Sequence, residues 1–290
     1  MIRLFYYQNL NLGDQLSFYI VKKLSEKEIV YCNPFSFYRY LRNHLSAIKH
    51  ILKGHKNRIP ILCAFSREKV LIAVGSLIEH STNNCVVWGT GMAQKEKVPM
   101  GGEFLITRGY ESKKLLEDCG FTVISRSAGD PALLMPKIFC PIVRKIKGKI
   151  GIVPHVSEFS EVQNYFCGKE KFELIDFRTK DVEGTITQLL SCEFVYSSSL
   201  HGIILCHAYG INCIRFKNNE IGGGDFKFKD YFSSVEIPYY EPLSINNVLE
   251  LIQPKHILQL PDKSLIVGIQ NELLRLAPFT VKPDYLNDTY

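Results

Sequence analysis

Short runs of apolar, β-branched and aromatic residues alternate along this chain with longer segments whose apolar positions recur every three or four residues. That alternation is the signature of parallel sheets joined by crossover helices. In the first half it predicts strands at 2–7, 28–32, 70–75, 85–88, 103–107 and 122–125, with helices at about 13–24, 36–53 and 109–119. In the second half it predicts strands at 149–154, 172–176, 193–197 and 211–216. Helices follow there at about 158–166, 181–191, 200–209, 244–252 and 263–276. Between the two sets, residues 136–149 are bounded by prolines, rich in lysine and without clean periodicity, as a linker would be. The expected architecture is α/β, with two Rossmann-like domains facing a cleft. They divide into an N-terminal domain over 1–140 and a C-terminal domain over 141–290, whose last helices can pack back on the first.

In open α/β sheets ligands sit beyond the carboxyl ends of the strands, so the strand ends are where chemistry is sought. The strongest such end is Val195-Tyr196-Ser197-Ser198-Ser199-Leu200-His201-Gly202, an apolar strand running through three serines into a helix. The first amides of a helix lack intrahelical partners and carry the positive end of its dipole, which suits a phosphate or carboxylate. Ser199 is the candidate N-cap, Gly202 would let a ligand approach the backbone, and His201 offers a donor or a proton. The competing reading makes the serines a plain turn and His201 a helix-start residue.

Further strand ends also carry candidates. After the first strand, Asn11-Leu12-Gly13-Asp14 opens a helix and sets Asp14 at the cleft floor, as a general base or only a helix cap. Trp88-Gly89-Thr90-Gly91 gives a glycine pair for a tight turn or close approach at the cleft edge. Arg108 follows the strand at 103–107, where its planar fork would clamp a carboxylate or phosphate, with a salt bridge as the alternative. His155 ends the first strand of the second half and would face His201. Asp130, in the turn Gly129-Asp130-Pro131, orients a donor or bonds local backbone. Lys217, at the end of 211–216, is a second candidate anion contact, and Gly222-Gly223-Gly224-Asp225 reads as a mobile lid or a plain turn.

Composition narrows the class. The chain has 290 residues, 46% hydrophobic and 22% charged, enough for two domains with full cores. The net charge of +6 suits an acidic small substrate or an anionic membrane surface, and no basic, aromatic-interleaved nucleic-acid motif is present. Nine scattered cysteines without C-x-x-C spacing read as buried thiols of a reducing compartment rather than a disulfide frame. Histidines and cysteines lack metal-ligand spacing, so no metal is expected. The N-terminus lacks a signal-peptide pattern and no apolar stretch reaches membrane-spanning length, so a cytoplasmic location is expected. The helix at 37–53 has a basic face of Arg39, Arg42, Lys49 and Lys53 that would rest on anionic lipid, or simply be solvated while its apolar face packs on the core.

Taken in order, Asn11-Leu12-Gly13-Asp14, Trp88-Gly89-Thr90-Gly91, Arg108-Gly109 with Ser112, Gly129-Asp130-Pro131, and Ser198-Ser199-Leu200-His201-Gly202 with Ala208 and Gly210 resemble the motifs of the polysaccharide pyruvyl transferase family. The resemblance spans about residues 2 to 216. It implies transfer of the pyruvate unit of phosphoenolpyruvate onto sugar hydroxyls of a surface or capsular glycan, with a pyruvate ketal formed and phosphate released. It also implies a fold similar to two-Rossmann-domain glycosyltransferases and a donor site at His201 with the amides around Leu200 and Gly202. Some members carry arginine directly before Leu-His, where this chain has Ser199, so Arg108 and Lys217 are the candidate donor cations. A proline frequent after Gly210 is here Ile211-Asn212. The implied acceptor is a lipid-linked oligosaccharide at the inner membrane face, with phosphoenolpyruvate as co-substrate and no other cofactor. Two other classes fit the residues: a nucleotide-sugar glycosyltransferase of the same architecture, and a glycan-binding protein with a degraded site.

Overall fold

The computed structural model describes residues 1–34, 69–95, 97–219, 224–251 and 260–286. The N-terminal lobe is a five-stranded sheet of β1 (Ile2–Phe5), β2 (Ile29–Tyr31), β3 (Val70–Ile72), β4 (Cys85–Trp88) and β5 (Glu103–Ile106), every pair parallel, in the order β2-β1-β3-β4-β5. The C-terminal lobe is a second parallel sheet of β6 (Ile150–Val153), β7 (Phe172–Leu174), β8 (Phe194–Ser197), β9 (Cys213–Lys217) and β10 (Leu243–Ser244), in the order β10-β9-β8-β6-β7. Counted within each lobe, both sheets have the same order, second-first-third-fourth-fifth. The two-lobe Rossmann-like α/β architecture follows from these sheets. β3, β4, β6 and β8 are buried along their whole length, which is why they read as continuous apolar runs rather than alternating ones.

The helices follow their apolar faces. In α1 (Leu12–Ser25), Leu12, Leu16, Ile20, Val21 and Leu24 are buried at helical spacing, Asn11 caps the start, and Glu26 ends the helix in the left-handed region at φ 52°. The order continues with α2 (Tyr110–Asp118), a 3-10 turn at Pro131–Leu134, α3 (Met135–Ile138), α4 (Phe159–Phe166), α5 (Val182–Ser191), α6 (Leu200–Ala208), α7 (Phe226–Ser234), α8 (Ile245–Leu249) and α9 (Lys263–Arg275). Apolar residues surround α6 on nearly every side, and it sits inside the core shared by the two lobes.

Two second-half helices lie on the first lobe. α9 accepts a 2.9 Å hydrogen bond from Trp88 Nε1 at the Leu273 carbonyl and donates one of 2.7 Å from Gln270 Nε2 to the Leu133 carbonyl. α7 packs on α2, where a Cβ on Gly109 would collide with the Asp230 backbone carbonyl. Residues 139–149 contain no helix or strand.

Several expectations are corrected. The segment at 122–125 is a single bridge, Phe104 to Val123, rather than a strand. Phe226–Ser234 forms a helix where the sequence predicts none, because the Phe-Lys alternation has a period of two and tertiary contacts decide the helix. Cys119, Cys140 and Cys167 are exposed, while Cys32, Cys85, Cys192, Cys206 and Cys213 are buried as free thiols. The basic helix expected over 37–53 and Gly222-Gly223 fall outside the described residues. Among the described residues no helix is long and apolar enough to cross a membrane.

Candidate active site

In this strand order, the neighbours β1 and β3, and likewise β6 and β8, send their connections to opposite faces of the sheet, leaving a crevice beyond their carboxyl ends. The two crevices meet in one cleft of about 420 Å³. The loops after β1 and β3 supply Tyr7, Asn9, Asn11, Asp14, Ser76 and Glu79, and those after β6 and β8 supply His155, Ser199, Leu200 and His201. Lys227, from α7, also lines the cleft, as do Gly75, Leu77 and Ala93.

The serine turn builds the C-terminal wall. Ser197 Oγ donates to the Ser199 carbonyl at 2.8 Å and accepts from the Ser199 amide at 3.1 Å. Ser198 Oγ donates to the Glu158 carboxyl and accepts from the His155 amide at 2.9 Å. Both side chains are thus used to stiffen the turn and to hold His155 beside it. Ser199 makes no side-chain cap bond, and the amides of Leu200, His201 and Gly202 find no acceptor among the described residues. The helix start is open for an anion. Gly202 serves packing rather than ligand approach, since a Cβ there would collide with Ser197 Oγ.

His201 lies against the opposite lobe. A Cβ on Gly13 would collide with the imidazole, so that glycine lets α1 and α6 meet at the cleft floor. The His201 Nε2 atom is buried without a hydrogen-bond partner. Burial, helped by the charges of Arg108 and Lys227, pushes the ring's pKa down to about 3, so it is neutral at pH 7. His155 is lowered to about 4 by burial and by Lys227, and its Nδ1 lies 2.7 Å from Ser157 Oγ. Asp14 moves the other way. Burial raises its carboxyl from 3.8 to about 7 against the opposing hydrogen bond from Asn11, leaving both protonation states populated near neutrality. Asn11 itself caps α1 by accepting from the Gly13 amide at 3.1 Å.

Arg108 is the largest correction. It is fully buried, and its five N–H groups are committed. Nε and Nη2 reach Asp230 Oδ2 at 2.9 and 2.8 Å, Nη1 reaches the Gly75 carbonyl at 3.1 Å and Ser76 Oγ at 2.6 Å, and Nη2 also reaches the Met92 carbonyl at 3.0 Å. No donor is left to clamp a substrate. The pair instead joins the lobes, because Asp230 also accepts from the Ser112 amide at 2.7 Å and from Ser112 Oγ at 2.8 Å, fixing α7 to the start of α2. Three residues before Asp230 on the same helix stands Lys227. The cation that reaches the cleft is therefore Lys227, lowered to about 8 by burial and by the nearby guanidiniums of Arg108 and Arg215.

The remaining expectations place elsewhere. Lys217 is not among the cleft residues and lies close enough to Asp225 to lower that carboxyl. Gly89, at φ 86°, leaves room for the Pro131 ring, and Gly91 leaves room for the Arg108 guanidinium, so both glycines admit the protein's own side chains. Asp130 caps the 3-10 turn through the Ala132 amide at 2.9 Å and is raised to about 7 by burial, away from the cleft lining. Sequence reasoning missed Lys227, Glu79, Ser76, Tyr7 and Asn9. Among the described residues no group of three or more His, Cys, Asp or Glu side chains is placed to hold a metal ion.

An uncharacterized protein of Acanthamoeba polyphaga mimivirus is 33% identical over 169 residues, which cover 55% of this chain and 58% of that protein. The match therefore spans a little over half the length of that relative. The crystal structure of Methanocaldococcus jannaschii UDP-GlcNAc 2-epimerase in complex with UDP-GlcNAc and UDP superposes with a TM-score of 0.45 at 10% identity, covering 93% of this chain and 97% of that one. The family model of the polysaccharide pyruvyl transferases matches residues 11–220, from the Asn11 cap of α1 through the serine turn and β9, and the chain belongs to that family.

Proposed function

We propose that the protein transfers the pyruvate unit of phosphoenolpyruvate to hydroxyls of a surface or capsular glycan precursor, forming a ketal and releasing phosphate. The observation that carries this reading is the division of charge across the cleft. Among the described lining residues, the C-terminal wall presents Lys227, two neutral histidines and open helix amides without a carboxylate, while the N-terminal wall presents Asp14 and Glu79 without a cation. A small multiply charged anion belongs on the first wall.

The phosphate lies against the amides of Leu200 and His201 with Lys227 beside it, and His201 anchors it through the neutral ring. A ring with a pKa of about 3 is a poor proton donor, so proton transfer falls to Asp14. Its protonated carboxyl delivers a proton to the methylene carbon of the enol. The resulting carboxylate then takes the proton of the attacking hydroxyl. A second hydroxyl displaces phosphate and its proton leaves with that group. With Asp14 at about 7, the protonated starting form is depleted as pH rises, so phosphate release falls above about pH 7.

The acceptor is a lipid-linked oligosaccharide or free glycan reached from the cytoplasmic side of a membrane. Residues 37–53 provide a peripheral contact with that surface. Neither nucleic acid nor a resident cofactor takes part. Open helix amides also suit a diphosphate, which favours a nucleotide-sugar glycosyltransferase as the second reading. Isothermal titration separates the two. Binding of phosphoenolpyruvate, with none of the uridine, guanosine or cytidine sugar nucleotides, supports pyruvyl transfer, and the reverse pattern supports the alternative.

A further inference from the structure

Glu79 lies in the turn between β3 and β4, at the rim of the N-terminal wall, with its side chain only 8% exposed. Oε1 holds the Lys97 ammonium at 3.0 Å. Oε2 is buried and has no hydrogen-bond partner among the described residues, although the residue lines the cleft. A buried carboxylate oxygen without a donor is costly, and a hydroxyl arriving in the cleft would supply the donor. Beside it stands Tyr7, 41% exposed and fixed by a 2.7 Å contact between its Oη and His80 Nε2. Its ring meets the His80 ring edge-on at 5.8 Å and 82°. Asn9, Asn11, Ser76 and Asp14 complete the same wall.

Such a surface is rich in hydrogen-bond acceptors, carries an accessible aromatic ring and, Lys97 not being part of the lining, shows no cation to the cleft among the described residues. A sugar ring satisfies all three features, since its hydroxyls donate to carboxylates and amide oxygens while its C–H face rests on an aromatic. Lys97 compensates Glu79 at Oε1, but neither it nor any other cation is among the described lining residues of that wall. A uronic acid or a sugar phosphate would therefore bring its charge against the unpaired Oε2 side of Glu79 and against Asp14 without meeting a counter-ion in the cleft, and like charges placed together are disfavoured.

We infer that Glu79 and Tyr7 form a subsite for an uncharged sugar ring, in which Glu79 Oε2 accepts a ring hydroxyl, and that this wall rejects acidic sugars. Calling the sugar an acceptor rests on the pyruvyl-transfer reading. The wall is assigned from its own residues.

The test is saturation-transfer NMR with the 4-nitrophenyl glycosides of galactose, glucose, mannose and glucuronic acid, recorded without phosphoenolpyruvate. At least one neutral glycoside binds about 10-fold or more tightly than the glucuronide, and Glu79→Gln reduces that preference about 10-fold by weakening the neutral sugar and relieving the acidic one. Tyr7→Ala, on the exposed rim, weakens the neutral glycosides and leaves the ratio unchanged. A fold defect would lower all signals together, so the ratio isolates the role of Glu79. Equal binding of neutral and acidic glycosides, no binding of any neutral glycoside, or an unchanged ratio in Glu79→Gln overturns the assignment. Because no donor is present, a protein that selects neutral sugars yet fails to bind phosphoenolpyruvate would remove the pyruvyl-transfer reading and leave the sugar subsite standing.

Discussion

At the ends of β1 and β3 the N-terminal lobe presents Tyr7, Asn9, Asn11, Asp14 and Glu79, whereas at the ends of β6 and β8 the C-terminal lobe presents His155, Ser199, Leu200 and His201, joined by Lys227 from α7. The two sheets share one strand order and bring their crevices to the same cleft. Their difference lies in the loops and helix starts that follow the strands, and in Lys227 on α7. The N-terminal wall carries the carboxyl groups of Asp14 and Glu79, and the C-terminal wall carries Lys227 and open helix amides, which suit an anion. A shared topology thus supplies two places for a ligand, and the residues at the strand ends decide which ligand each place takes.

Removing the Asp14 carboxyl, the proposed proton-transfer group, should have the largest effect. Asp14→Asn is expected to slow phosphate release about 10²–10⁴-fold while phosphoenolpyruvate titrates with nearly unchanged affinity. A matching loss of donor affinity would instead put Asp14 on the anion-binding side. Stability sharpens the same point through pH. Folding raises the Asp14 carboxyl from 3.8 to about 7, so the folded protein holds that proton more tightly than the unfolded chain. Its contribution to stability is full below about pH 4 and is lost as pH rises through about 7. Melting temperatures recorded from pH 4 to 8 should fall more steeply in the parent than in Asp14→Asn, and identical slopes would remove the raised carboxyl.

Arg108 and Lys227 offer a second contrast, between a cation that holds the lobes and one that lines the cleft. Arg108→Met strands the buried Asp230 carboxyl and should cost about 3–5 kcal/mol in urea unfolding. Lys227→Met should leave the fold intact and weaken phosphoenolpyruvate binding about 10- to 100-fold, the range of a charge-assisted hydrogen bond. Equal destabilisation by both substitutions would erase the distinction. A smaller effect tests how the last helix is attached to the first lobe. Trp88→Phe removes the donor to the Leu273 carbonyl and should lower stability by about 0.5–1.5 kcal/mol with little change in donor binding.

What could be read from the residues alone follows a physical line. The strand-to-helix passages at 195–202 and 2–14 are local, so an apolar run, a polar turn and a helix pattern were enough to locate His201, Asp14, His155 and Ser199 at strand ends, and the cleft unites them. Arg108 shows the limit. Its place after a strand is local, but the carboxylate that takes its guanidinium lies 122 residues away, on a helix whose Phe-Lys-Phe-Lys start has a strand's period. The same missed helix hid Lys227. Glu79 sits in a short 3-10 turn, Ile78–His80, which carries no periodic signal, and its buried oxygen without a partner among the described residues is a product of tertiary packing that no local pattern announces. Gly89, Gly91 and Gly202 are places of close approach, but what approaches is Pro131, Arg108 and Ser197, so the expected approach of a ligand to Gly202 gives way to internal packing.

The division of the cleft into an anion wall and a sugar wall is tested most directly by a crystal structure with phosphoenolpyruvate bound. The account expects the phosphate within hydrogen-bond distance of the Leu200 and His201 amides and of Lys227 Nζ, with the enol carbon turned toward Asp14. Phosphoenolpyruvate held by the loops after β1 and β3, or absent from the cleft at saturating concentration, would contradict it.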